Sequence, residues 1–257
     1  MPQPVNRWDV QAMLKLRFGE QTHEYFDISD PFFARLIETI NPHTLTLKAG
    51  ADAPWALYQA IEYIVRYKIP GDIVECGVWS GGSMLLAAHA LKHFGDTTRR
   101  IHLYDTFDGM PQPADIDLRW DGAPTLPTWQ ELRVNGQKWG FGGTQDHVRN
   151  VVFASGYPQD RFVFVEGMVE DTLPSTCPDA IAILRLDTDL YSSTLHELVH
   201  LYPRLAVGGI LIIDDYGAYL GAQVATDEYF AQLGAPVFMS RVNASVRLLV
   251  KPASHAG

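Results

Sequence analysis

Two stretches of the chain place carboxylates where chemistry could happen: Arg185-Leu186-Asp187-Thr188-Asp189 and Ile212-Ile213-Asp214-Asp215-Tyr216-Gly217. Each continues an apolar run that reads as a β-strand. If the two strands are neighbours, about 4.8 Å apart, their ends deliver three or four acids to one place. Such crowding is strongly repulsive unless a cation compensates it or some acids hold protons. No histidine or cysteine adjoins these acids, so the expected cation is a hard one such as Mg²⁺, its shell completed by water or substrate oxygens. Alternation at a strand end would point Asp187 and Asp189 the same way, about 7 Å apart along the chain. A plainer reading makes the acids caps of the following helices, although Thr194-Leu195-His196-Glu197 already has the form of a capping box for one of them.

A second constellation is Asp72-Ile73-Val74-Glu75-Cys76-Gly77-Val78-Trp79-Ser80-Gly81-Gly82-Ser83, which reads as strand, glycine turn and helix start. Backbone N–H groups at such a helix start face the ligand crevice of a doubly wound sheet. A nicotinamide fingerprint would need glycine where Trp79 stands, and a phosphate loop would need lysine where Ser83 stands. Asp105 ends the next strand, at the place where an acid commonly holds a ribose hydroxyl. Glu75, just before the turn, could hold the ammonium of a methionine moiety. There is no arginine cluster for phosphates. S-adenosylmethionine, with a ribose, an ammonium and no phosphate, fits this set better than NAD; a non-catalytic nucleotide-binding module or a dehydrogenase on the same fold stays open.

His196-Glu197-Leu198-Val199-His200 matches the H-E-x-x-H helix of zinc peptidases. That site needs a third ligand downstream, yet Pro203 stops the helix and neither His nor Glu occurs between His200 and Asp214. His89 and His93, also four apart, read as a solvated helix face. No G-x-S-x-G elbow is present, so a serine hydrolase has no support.

The elements that must position these residues follow from pattern. A chain of 257 residues, 47% hydrophobic, can bury a full α/β core. Apolar runs at Asp72–Cys76, Arg100–Tyr104, Arg161–Val165, Ala180–Leu186 and Gly209–Ile213 read as strands. Helical patterns at Ser83–Phe94, Gln145–Ala154, Thr194–Tyr202 and Ala222–Leu233 separate or follow them. This alternation predicts a doubly wound α/β fold with a mostly parallel sheet covered on both faces. Pro236–Val242 and Ser245–Val250 could add a closing hairpin through Asn243-Ala244. Residues 1–70 read as a mostly helical N-terminal extension, with an apolar stripe of Leu57, Ile61, Ile64 and Val65 ended by Pro70-Gly71; residues 71–257 are the main domain. Between Asp105 and Gln145 a Pro- and Gly-rich stretch with Trp120, Trp129 and Trp139 breaks the rhythm. It is expected to be a lid, centred on residues 110–145, or a partly disordered insertion. The net charge of −10 argues against nucleic-acid and anionic-membrane partners. Without a signal peptide, a spanning segment or a disulfide framework from Cys76 and Cys177, a cytoplasmic protein is expected.

With these residues in view, the run from Gly71 to Phe230 resembles the macrocin O-methyltransferases of antibiotic sugar tailoring, a branch of the class I methyltransferases. The resemblance rests on the glycine turn, on Tyr104-Asp105-Thr106-Phe107-Asp108-Gly109-Met110-Pro111, on Val165-Glu166-Gly167 with Asp171-Thr172-Leu173-Pro174, on Leu184 through Thr194, on Leu201-Tyr202-Pro203-Arg204-Leu205 with Gly208-Gly209, and on Asp214-Asp215-Tyr216-Gly217. It implies a seven-stranded sheet and a pocket for S-adenosylmethionine, with adenosyl-homocysteine as product. That pocket would use Glu75, Gly77, Val78, Ser83, Asp105, Thr106, Phe107, Asp108, Glu166, Gly167 and Asp187. It also implies Mg²⁺ on Asp187, Asp214 and Asp215, and Asp189 as general base. Ser80 stands where a basic residue is frequent in the family, and Thr188 where glycine is frequent. The implied acceptor is a hydroxyl of a glycosylated natural product or a nucleotide sugar, with a phenolic or catechol acceptor as the alternative. A homo-oligomer is expected.

Overall fold

A computed structural model describes residues 28, 30–234 and 236–253; the expectation of helix over residues 1–27 lies outside them. Seven strands form one sheet in the order β3-β2-β1-β4-β5-β7-β6. They are β1 (Asp72–Cys76), β2 (Ile101–Asp105), β3 (Phe162–Glu166), β4 (Ile181–Leu186), β5 (Leu205–Ile213), β6 (Ser240–Arg241) and β7 (Arg247–Val250). The pairings that join β1 to β5 are parallel, and β7 runs antiparallel to β5 and β6. The class I methyltransferase architecture expected from the resemblance is therefore present. Asn243 makes the closing turn, its Oδ1 accepting the N–H groups of Ser245 and Val246. The β6 strand is shorter than its apolar run suggested, because only Ser240 and Arg241 pair with β7.

Strand alternation divides the core into two layers. Ile73, Ile183 and Ile212 face α1 (Pro31–Ile40), α2 (Asp52–Arg66) and α3 (Gly82–His93), where Phe33, Leu36, Ile61, Ile64 and Leu86 are buried. Val74, Leu184 and Leu211 face α7 (Tyr191–Leu201) and α8 (Leu220–Leu233), through Leu198, Leu201 and Phe230. Burial on both faces explains the near-continuous apolar strands. The α1 helix starts where Asp30 accepts the N–H groups of Phe32 and Phe33, with Pro31 in the first turn.

Three features add to or depart from the expected pattern. Residues 105–145 contain a helix, α4 (Leu126–Val134), before α5 (Gln145–Phe153). The segment is pinned by Trp129 Nε1 donating to the Met110 carbonyl (3.0 Å) and by bridges Leu118–Pro124 and Arg119–Tyr219. Second, α7 begins at Tyr191, so Thr194 and Glu197 lie inside it and form no capping box. The cap comes from Asp117, 74 residues away, whose Oδ1 accepts the Tyr191 N–H at 2.7 Å. A carboxylate at a helix start satisfies an orphan donor and meets the positive end of the dipole. Third, His89 is half-buried rather than solvated, while the exposed His93 stacks on Phe32 with ring centroids 3.9 Å apart. A one-turn helix, α6 (Val169–Thr172), follows β3. Among the described residues no helix is long and apolar enough to cross a membrane.

Candidate active site

The parallel ladders run one residue past the strand ends, and this brings the chemistry together. Cys76 pairs with Leu186, and Leu186 with Ile213. Beyond them the Asp187 N–H donates to the Cys76 carbonyl, Asp214 N–H to the Leu186 carbonyl and Gly77 N–H to the Tyr104 carbonyl, all at 2.9 Å. Gly77, Asp187 and Asp214 thus stand side by side on the carboxyl edge of the sheet, where doubly wound folds bind ligands. A cavity of about 380 Å³ opens over that edge.

One wall is the glycine turn. Gly77 has φ +81°, and a Cβ there would run into the Asp187 carbonyl oxygen. Trp79 holds φ +50° in the position where a dinucleotide fingerprint has glycine, and Phe107 holds φ +48°. Asp105 stabilises this shape: its Oδ2 accepts the N–H groups of Val78 (2.6 Å) and Trp79 (3.1 Å), and its Oδ1 that of Phe107 (2.7 Å). Burial pushes the Asp105 carboxyl up, and the three amides pull it back only in part. Its oxygens bind the turn itself, a role beyond the ribose contact expected of it. Gly77→Ala should cost about 1–3 kcal/mol of backbone strain. Chemical denaturation and adenosyl-homocysteine calorimetry should show a less stable protein with weakened ligand binding. An alanine variant with wild-type stability and affinity would show that the close approach is not needed.

The facing wall is acidic. Carboxylate oxygens of Asp187, Asp214 and Asp215 all lie within 4.8 Å of one another. Arg185 sits beneath them, 3% exposed. Its Nη1 donates to Glu75 Oε1 and to Asp187 Oδ2, both at 2.6 Å, and its Nη2 to Asp214 Oδ1 at 2.5 Å. This arginine was not singled out in the sequence. Its signal is there: a charged residue inside an otherwise apolar strand, level with an acid inside the neighbouring strand, and such charges are almost never fully buried unless paired. One guanidinium meets three carboxylates, while Asp189 and Asp215 lie outside its bonds. Burial, and then the charges of Asp189 and Asp214, push Asp215 well above the carboxylate range. Burial also raises Asp187, with Arg185 opposing and Asp214 and Asp215 adding to the rise. An oxygen-only donor set with surplus negative charge fits a hard divalent cation.

Asp189 is not reached by strand alternation, because β4 ends at Leu186. It occupies a left-handed turn at φ +65°, and its N–H donates to Asp215 Oδ2 at 3.1 Å. Burial and the neighbouring Asp187 charge push its carboxyl up to about 7.

Of the expected ligand-binding residues, Gly77, Val78, Ser83, Asp105, Thr106, Gly167 and Asp187 line the cavity, as do Asp189, Asp214 and Asp215. The other four lie outside that lining. Glu75 is 1% exposed and faces Arg185 instead of an ammonium site. Phe107 is buried behind the turn. Asp108 pairs with Lys138 on the surface. Glu166 accepts from Gln145 Nε2 at 3.4 Å, outside the cavity. Sequence reasoning missed the cavity residues His43, Thr44 and Thr46, which the turns before α2 bring over Ser83. Met110, Pro111 and Trp139 cover another side. The H-E-x-x-H histidines belong to none of this: their rings lie 4.4 Å apart, with His196 Nε2 3.4 Å from the Leu173 carbonyl. Among the described residues they join no metal-holding cluster.

Comparison with known proteins places this geometry in context. The family model described as Macrocin-O-methyltransferase (TylF) matches residues 43–246. A tetracenomycin-C derivative 4'-O-methyltransferase of Streptomyces olivaceus, whose named substrate carries a dimethoxy-rhamnosyl group, is 34% identical over 75% of this chain and 74% of its own length. The demethyldecarbamoylnovobiocin O-methyltransferase of Streptomyces niveus is 31% identical, covering 75% of this chain and 69% of its own length. Among solved structures, the O-methyltransferase NovP superposes with a TM-score of 0.72 at 24% identity, covering 86% of this chain and 99% of that one. Calicheamicin methyltransferase CalS11 gives 0.60 at 22% identity, covering 85% and 91%.

Proposed function

The chain belongs to the macrocin O-methyltransferase family, and from that premise we propose that it moves a methyl group from S-adenosylmethionine to a sugar hydroxyl of a glycosylated natural product, with Mg²⁺ held by Asp187, Asp214 and Asp215. The observation that carries this reading is the shared cavity: the glycine turn and the carboxylates of Asp187, Asp189, Asp214 and Asp215 line one space of about 380 Å³. One relative's name supports the sugar, since its named substrate carries a dimethoxy-rhamnosyl group. The cavity lining is acidic. Six carboxylates line it (Asp105, Glu170, Asp187, Asp189, Asp214 and Asp215), and among the described residues neither lysine nor arginine does.

The donor brings an already activated leaving group, so the protein's work is orientation and proton removal. N–H groups at the start of α3 and the Ser83 hydroxyl are suited to a carboxylate at the helix N-terminus. Gly77 and Asp187 form the adjoining wall. Asp189 accepts the acceptor hydroxyl's proton on its carboxylate, and a carboxyl titrating near neutrality is well matched to that task. A divalent cation on Asp187, Asp214 and Asp215 would supply Lewis-acid polarisation and offset the surplus negative charge.

The test is an intact-mass screen of glycosides, nucleotide sugars and catechols with S-adenosylmethionine. It is run with and without chelator, alongside calorimetry with adenosyl-homocysteine and NAD. The expected result is adenosyl-homocysteine binding, one added methyl on a glycoside, loss of turnover in chelator and recovery with Mg²⁺. Full turnover in excess chelator would make the acidic cluster structural. Methylation confined to catechols or nucleotide sugars would move the acceptor assignment.

A further inference from the structure

The glutamate of the H-E-x-x-H stretch has a place that the zinc-site pattern does not explain. Glu197 lies on α7 with 0% exposure, and its Oε2 accepts the Thr188 hydroxyl at 3.2 Å. Its Oε1 has no hydrogen-bond partner. Among the described residues no cation pairs with it, and burial pushes its carboxyl well above the usual range, against which the Thr188 hydroxyl pulls only in part. A fully buried acid with one oxygen unpartnered is costly to keep.

Thr188 is the residue between Asp187 and Asp189, and its side chain is one of the few ties that fix their turn. The Leu190 N–H closes the turn on the Thr188 carbonyl at 2.7 Å, and the Asp189 N–H reaches Asp215. These main-chain bonds leave the Thr188 side of the turn to be held from α7. Asp189 must also keep φ +65°, a conformation that persists in a residue other than glycine when its surroundings impose it.

We propose that Glu197 is a positioning residue: through its hydrogen bond with Thr188 it locks the Asp187–Asp189 turn in the geometry that aims Asp189 into the cavity. The assignment rests on the methyl-transfer reading, and it is specific to a chain with a hydroxyl at position 188. Glycine there could make no such bond.

The test compares Thr188→Val, Thr188→Ser, Glu197→Met, Glu197→Gln and the Thr188→Val/Glu197→Met double variant. Readouts are kcat, KM for donor and acceptor, melting temperature and adenosyl-homocysteine affinity. A small misplacement of a reacting group lowers rate without weakening binding, so Thr188→Val should lose about tenfold in kcat, with both KM values and donor affinity near wild type. Thr188→Ser keeps the donor and Glu197→Gln keeps an acceptor oxygen, so both should retain most of the rate. The double variant should be no slower than the worse single one. Wild-type kcat in Thr188→Val, or losses that multiply in the double variant, would overturn the proposal. If Glu197→Met fails to fold, the valine and serine variants decide: a loss appearing in acceptor KM instead of kcat would put the hydroxyl on the substrate and overturn it too. Absence of turnover in the wild-type protein, with every acceptor, would instead count against the methyl-transfer reading itself.

Discussion

Arg185→Met is expected to destabilise the protein by about 3–5 kcal/mol, the usual result of removing one partner from a buried ion pair. For a domain of this size that corresponds to a melting temperature lower by roughly 10 °C. Among the described residues Arg185 is the single cation bonded to Glu75, Asp187 and Asp214, and Glu75 is buried. Arg185→Lys should recover little, since one ammonium cannot span three carboxylates as the guanidinium fork does. Pairing Arg185→Met with Glu75→Met should recover part of the loss, because the uncompensated charge goes with its partner. The pH dependence has a definite sign. Burial holds the Glu75 carboxyl at about 7 even with Arg185 opposing, against about 4.3 in an unfolded chain. The folded state therefore binds the extra proton, and its stability falls as pH rises through that window. Without the arginine the Glu75 carboxyl rises further, so the variant's deficit should be larger at pH 8 than at pH 5. Urea unfolding at the two pH values measures it. A variant as stable as wild type at pH 8 would show that water or a bound cation, not Arg185, compensates these acids.

Arg185 also marks where sequence reasoning stopped. The five parallel strands were legible because burial on both faces writes them as short apolar runs, and the glycine turn and acidic ends followed from strand-to-helix boundaries. A charge inside such a run carries no periodic signal. Its meaning appears only when register sets Glu75 level with Arg185 and carries Asp187 and Asp214 above them. Asp117 failed to show for the same reason, since its helix cap acts across 74 residues. The α4 helix was hidden by dense Pro and Gly around it, although Pro127 sits in the first turn, where proline is tolerated. The capping box in Thr194–Glu197 was a pattern without its context: the helix had already started, and Glu197 turned inward to Thr188.

Asp189→Asn is the substitution expected to cost most in rate while leaving the fold alone. The turn that carries Asp189 needs φ +65°, and asparagine is among the residues most at home there. The side-chain volume hardly changes, and the Asp189 N–H bond to Asp215 is made by the backbone. What is lost is the carboxylate assigned to accept the proton beside the metal-holding set. Single-turnover methyl transfer should slow on the order of 10²-fold or more, with adenosyl-homocysteine and Mg²⁺ affinities near wild type. Asp187→Asn should behave differently: metal affinity falls first, and part of the rate returns at high Mg²⁺. The two variants separate further with pH. A base must be deprotonated, so the wild-type rate should fall as pH drops below the Asp189 value of about 7; a cation on the neighbouring carboxylates moves that inflection lower. The residual rate of Asp189→Asn should lack the inflection, whereas that of Asp187→Asn should keep it. If Asp189→Asn transfers methyl at the wild-type rate, or retains the wild-type pH profile, the proton leaves by another group and Tyr219, which also lines the cavity, is the next residue to replace.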